Sequence, residues 1–112
     1  MVEYSIKITP QAFDHLQEIR SYIECELNAP AAAKKLLLLF KHKMNQLALM
    51  PQSYRIIEEE PWGSQGVRKS SANNYYIYYW IDDENKEVHI LAVIYNKRDQ
   101  YQQLLELMES EV

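Results

Sequence analysis

Cysteine is almost missing from this chain. Cys25 is the one thiol, which excludes an intrachain disulfide and any multi-cysteine zinc site. Its neighbours Glu24 and Glu26 are acidic and work against a reactive thiolate, so Cys25 reads as a small, semi-buried helical residue. Glycine occurs twice and proline four times in 112 residues, which excludes long flexible linkers. Apolar runs long enough to cross a bilayer are absent, and residues 1–8 lack the basic start and apolar stretch of a signal peptide. No membrane partner is therefore expected, and a cytoplasmic location is the default. Excess positive charge is missing too: the net charge is −4, which argues against a general nucleic-acid binder. His15, His42 and His89 are scattered without metal-ligand spacing, and no glycine-rich phosphate loop or nucleotide fingerprint occurs. No metal and no cofactor are expected.

What is present is apolar and aromatic. A hydrophobic share of 47% supports a core, and the length suits one domain spanning residues 1–112. Nine tyrosines and two tryptophans favour strands and large buried rings with a polar edge. Charge is unevenly spread. Residues 28–50 carry Lys34, Lys35, Lys41 and Lys43 without an acid, whereas Glu58, Glu59 and Glu60 are consecutive and the tail holds Glu106, Glu109 and Glu111. An acidic chain can thus present a local basic face.

Periodicity divides the chain into seven elements. Tyr4, Ile6 and Ile8 alternate with polar residues as in a strand. Thr9 and Pro10 then suit the cap and first position of a helix over 10–27, with Phe13, Leu16, Ile19, Ile23 and Leu27 as its apolar stripe. Asn28 and Pro30 open a second helix that runs to about residue 50, with Ala33, Leu36, Leu37, Phe40, Met44 and Leu47 on one face and the lysines mostly elsewhere. Together the two read as an αα-hairpin. Residues 54–57 read as a short strand or extended segment, and 58–66 as the least ordered stretch. Strands follow over 67–71, 75–81 and 87–95, joined by turns at Asn73-Asn74 and 82–86. A last helix begins at Arg98 or Asp99, with Tyr101, Leu104, Leu105 and Met108 on its apolar side. The order β-α-α-β-β-β-α predicts an α+β fold: an antiparallel meander covered on one face by the two N-terminal helices, with the first strand at an edge. Alternation sends Tyr75, Ile77 and Tyr79 to one face and Tyr76, Tyr78 and Trp80 to the other, so at most half of these rings are free for recognition.

This layout resembles the RelE/ParE superfamily of toxins from bacterial type II toxin–antitoxin systems. The residues that carry the resemblance are Tyr4-Ser5-Ile6-Lys7-Ile8-Thr9-Pro10-Gln11-Ala12, Tyr22-Ile23, Asn28-Ala29-Pro30-Ala31-Ala32-Ala33, Leu47-Ala48-Leu49-Met50-Pro51, Gly66-Val67-Arg68-Lys69, Tyr75-Tyr76-Ile77-Tyr78-Tyr79 and Val93-Ile94-Tyr95-Asn96-Lys97-Arg98-Asp99. Each motif alone is weak; their order covers nearly the whole chain. The resemblance implies a RelE/ParE-like fold and a toxin neutralised by a cognate antitoxin, in a toxin–antitoxin hetero-oligomer. Its target in the family is DNA gyrase or mRNA on the ribosome. The long helical hairpin and Lys97-Arg98-Asp99 look more like the gyrase-inhibiting ParE branch. RelE-type ribonucleases carry a basic residue early in the central strand, where this chain has Tyr75-Tyr76-Ile77. The leading expectation is therefore growth arrest through gyrase. The alternatives are a metal-independent, ribosome-dependent mRNA endoribonuclease and a non-toxic binding or repressor component.

RNA cleavage through the 2′-hydroxyl needs a proton acceptor, a proton donor and positive charge at the phosphate. The candidate residues are Arg68, Lys69, Arg98 and Tyr101, with Lys97 beside them. Arg68 and Lys69 point to opposite faces of a regular strand, so one of the two joins any given site. The guanidinium of Arg98 suits a bidentate anion contact better than Lys97 does. Tyr101 follows one helical turn later as a proton donor or stacking surface; packing of the helix onto the sheet is the commoner role. His89 is the one imidazole in the sheet and a candidate base, against the commoner role of a surface histidine. The lysines of the second helix read either as a solvated face or, as the resemblance implies, as a landing surface for an acidic antitoxin segment that folds on binding.

Overall fold

A computed structural model describes residues 3–110, with the side chains of 108–110 outside the description. Strand β1 (Ser5–Ile8) leads into helix α1 (Pro10–Ser21), a π-helical turn (Tyr22–Glu26) and helix α2 (Pro30–Leu49). Strands β2 (Arg68–Ala72), β3 (Tyr75–Asp82) and β4 (Glu87–Tyr95) follow, then helix α3 (Gln100–Ser110). The α+β class and the order of elements are as the sequence predicts.

Local chemistry accounts for the junctions. The Thr9 hydroxyl accepts the Ala12 N–H at 3.2 Å and donates to the Ile90 carbonyl at 2.9 Å. One side chain therefore starts α1 and ties it to β4. The predicted first helix does not run regularly to residue 27. At Tyr22 the hydrogen bonding widens to a π-turn, with the Leu27 N–H reaching the Tyr22 carbonyl at 3.1 Å, and Asn28 turns the chain with φ of 49°. The wider turn rotates the stripe off the core: Ile23 is half-buried and Leu27 is exposed. Cys25, on this turn, is exposed rather than semi-buried.

The sheet order is β1-β4-β3-β2. The three later strands form the expected antiparallel meander, and β1 lies at an edge, parallel to β4. Asn73, with φ of 57°, makes the tight turn between β2 and β3. Between Tyr78 and Tyr79 the register slips: Tyr78 opposes Ala92 and Tyr79 opposes Ile90, which leaves Leu91 as a bulge.

Both faces of the sheet are buried. On one, Ala12, Phe40, Met44 and Leu47 pack against Ile77, Tyr79, Val88, Ile90 and Val93. On the other, Tyr78, Ala92 and Ile94 pack with Ile57, Trp62, Val67 and Leu104. This second face is closed by α3 and residues 57–67. Burial of each large side chain of this kind contributes about 1.5–3 kcal/mol, which explains why the apparently unordered 58–66 stretch is a compact run of turns around Trp62. The Glu60 carboxylate accepts from the Ser64 N–H and hydroxyl within it. A side chain at Gly63 would meet the Ile57 carbonyl at 2.5 Å, so glycine is required there. Residues 54–57 form no strand; Ile56 makes a single bridge to Arg68. In α3, Leu104 is buried and Leu105 packs beside it, while Tyr101 is exposed; the predicted role of the Met108 side chain lies outside the described residues.

Candidate functional site

The four candidate residues fall on two faces and toward both ends of the sheet. Arg68 opposes Tyr79 and Lys69 opposes Tyr78. On the α1–α2 face, the Arg68 guanidinium donates to the Tyr54 carbonyl at 2.6 Å. On the α3 face, the Lys69 ammonium lies 4.3 Å above the Tyr76 ring. Arg98 is exposed just beyond β4, its N–H donating to the Tyr95 carbonyl at 3.0 Å. Tyr95 opposes Tyr75, four residues from Tyr79 on β3. That spacing separates the Tyr95 and Arg68 backbones by roughly 13 Å along the strand, at about 3.3 Å per residue, and Arg98 follows in the turn beyond Tyr95. The positive charge of Arg98 acts on His15 of α1 and on Tyr75 of β3. Lys97 is exposed beside it. Tyr101 packs edge-on against Trp62 at 5.5 Å, on the same face as Lys69. The fold thus puts Lys69 and Tyr101 on one face of the sheet and Arg68 on the other, sets Arg98 beyond the end of β4, and does not gather all four.

The buried tyrosines hold their protons. Burial pushes the Tyr79 phenol up to about 12, and its hydroxyl donates to the Pro51 carbonyl at 2.6 Å. Burial raises Tyr78 further, with Glu59 adding to it, and its hydroxyl donates to Gln100 Oε1 at 2.8 Å. Burial thus disfavours the phenolate form of both.

A groove of about 380 Å³ runs between the end of α1 and the start of α2, lined by Arg20, Glu24, Pro30, Lys34, Leu37, Leu38 and Lys41. Arg20 is paired with Glu24 at 3.0 Å. Lys34 and Lys41 stand exposed on α2, and Leu38 between them is 58% exposed. The lysine-rich face read from the sequence is therefore a basic rim around an apolar floor. The sequence did not reveal the groove, because its other wall comes from α1 and the π-turn.

At the opposite end of the sheet, His89 Nε2 lies 3.2 Å from Glu87 Oε1. Its ring tilts against Trp80 at 5.6 Å, and Trp80 in turn lies beside Gly66. Asp82 faces Glu87 across the β3–β4 register. One ligand atom from each of Asp82, Glu87 and His89 lies within 4.8 Å of the others. No linear spacing of histidines announces this trio, since the hairpin assembles it across two strands.

A family model described as the ParE toxin of type II toxin–antitoxin systems, parDE, matches residues 6–100. No curated protein sequence matches the chain. Among solved structures it is similar to a chromosomal ParDE toxin–antitoxin system from P. aeruginosa, with a TM-score of 0.68 and 21% identity over 83% of this chain and 96% of that one. It is also similar to the RelBE2 toxin–antitoxin complex from Mycobacterium tuberculosis, with a TM-score of 0.60 and 24% identity over 85% of this chain and 93% of that one. A mutant of the E. coli toxin RelE in the free state gives a TM-score of 0.59 and 14% identity over 99% of this chain and 100% of that one. At these identities the structural likeness speaks for the fold.

Proposed function

The chain belongs to the ParE toxin family of type II toxin–antitoxin systems, and on that premise we propose that it arrests growth by binding and inhibiting DNA gyrase. The observation that carries this reading is the dispersal of its cations. Phosphodiester cleavage gains from positive groups preorganised around one developing charge. Here Arg68 is engaged by a backbone carbonyl, Lys69 lies over a ring on the other face, and Arg98 sits past the far end of β3. Such an arrangement favours inhibition by contact over RNA cleavage.

A cognate antitoxin is the second partner. The α1–α2 groove suits an amphipathic segment with apolar anchors over Leu37 and Leu38 and acidic residues toward Lys34 and Lys41. A disordered acidic segment that folds on binding fits this combination of apolar floor and basic rim.

The test is inducible expression with plasmid supercoiling and protein synthesis followed in parallel. Supercoiling is expected to fall while translation continues. Rapid loss of translation with normal supercoiling would overturn the gyrase reading in favour of mRNA cleavage. Unimpaired growth would leave a binding or repressor component as the remaining role.

A further inference from the structure

We propose that the base of the β3–β4 hairpin is a binding site for a divalent transition-metal ion of the zinc type, held by Asp82, Glu87 and His89. The site lies apart from the α1–α2 groove and stands independently of the gyrase reading.

Strand register brings the ligands together. Asp82 and Glu87 close the hairpin as cross-strand partners, so their side chains leave the same face. His89 lies two residues further along β4 and shares that face by alternation. One imidazole nitrogen and two carboxylate oxygens therefore converge, all within 4.8 Å, on half-buried residues. Nitrogen with oxygen donors selects borderline ions such as Zn²⁺ over Mg²⁺, which prefers oxygen alone and keeps its waters.

Two further observations speak for a prepared site rather than three independent surface groups. Asp82 is oriented by Asn85, whose N–H and side-chain amide donate to its two oxygens at 3.1 and 2.8 Å. Metal ligands are commonly fixed in this way by an outer partner. His89 packs against Trp80 at 5.6 Å, with its Nε2 3.2 Å from Glu87 Oε1. On the neighbouring strand, the Lys7 ammonium lies 4.0 Å from Glu87 Oε2. Lys7 therefore competes electrostatically with an incoming dication for Glu87. Three protein donors leave the remaining coordination position to solvent.

Zinc titration of the full chain by calorimetry tests the proposal, in a Cys25→Ser background that removes the exposed thiol as a competing ligand. Saturable one-to-one binding is expected at pH 7.5. Glu87→Gln and His89→Gln should each weaken it by about tenfold or more, and Asn85→Ala, which leaves every ligand in place, by about tenfold. Lys7→Met should tighten it, an effect that a mere surface ion pair does not predict. His42→Gln should change nothing. Circular dichroism identifies any variant that fails to fold, and Asn85→Ala and Lys7→Met then carry the test, since neither removes a ligand. Absence of saturable binding would overturn the proposal. So would equal losses in His42→Gln and His89→Gln, or the same affinity in Lys7→Met and the parent.

Discussion

Tyr78 and Tyr79 are adjacent in sequence, both fully buried, and face opposite layers of the molecule. Each carries its hydroxyl to one acceptor, Gln100 for Tyr78 and the Pro51 carbonyl for Tyr79. Tyr79→Phe keeps the ring but strands the Pro51 carbonyl, and is expected to cost about 1–2 kcal/mol in urea denaturation. His15 gives a pH dependence. Burial holds its imidazole below the ordinary value of 6.5, and its Nδ1 accepts the Val93 N–H at 3.2 Å. The unfolded chain therefore takes up a proton that the folded chain refuses. The contribution of His15 is complete above about pH 6.5 and is lost as pH falls toward the folded value. Urea midpoints at pH 7.5 and 5.5 should differ less in His15→Asn, whose Oδ1 can accept the same N–H. Lys69→Ala separates the functional readings: growth arrest should persist at full strength if the toxin acts by binding gyrase, and disappear if Lys69 serves RNA cleavage.

Among the elements, the helices were the most legible from sequence and their junction the least. Thr9-Pro10 and the stripe of α2 follow directly from capping and spacing. The π-turn was hidden because Ile23 and Leu27 still fit a 3.6-residue period, and only the backbone hydrogen bonds reveal the extra residue. The bulge at Leu91 was hidden for a similar reason: an apolar run buried on both faces carries no alternation to betray a slip. Trp62 was missed as core because proline and glycine flank it, yet it seals the α3 face. Of the candidate residues, the opposite faces of Arg68 and Lys69 were legible from alternation. The separation of Arg68 from Arg98 was not, since it depends on strand register. For the helical groove, Lys34→Glu combined with Lys41→Glu should weaken antitoxin binding roughly tenfold at low salt and less at high salt, as calorimetry across ionic strength would record.

For the molecule as a whole, the α1–α2 hairpin completes its core against the sheet. Its buried side chains Ala12, Phe40, Met44 and Leu47 close against β3 and β4 rather than only against each other. A fragment of residues 1–53 is therefore expected to lack dispersed side-chain signals by NMR, with only partial helix by circular dichroism. The same long-range closure is seen at β1, whose parallel partner β4 begins at Glu87, paired with Ser5. Translated into time, that pairing is a delay. At about 5–20 residues per second, Ser5 is made on the order of ten seconds before the residue it pairs with. The helices that carry the basic groove thus exist as newly made chain before the sheet they will cover.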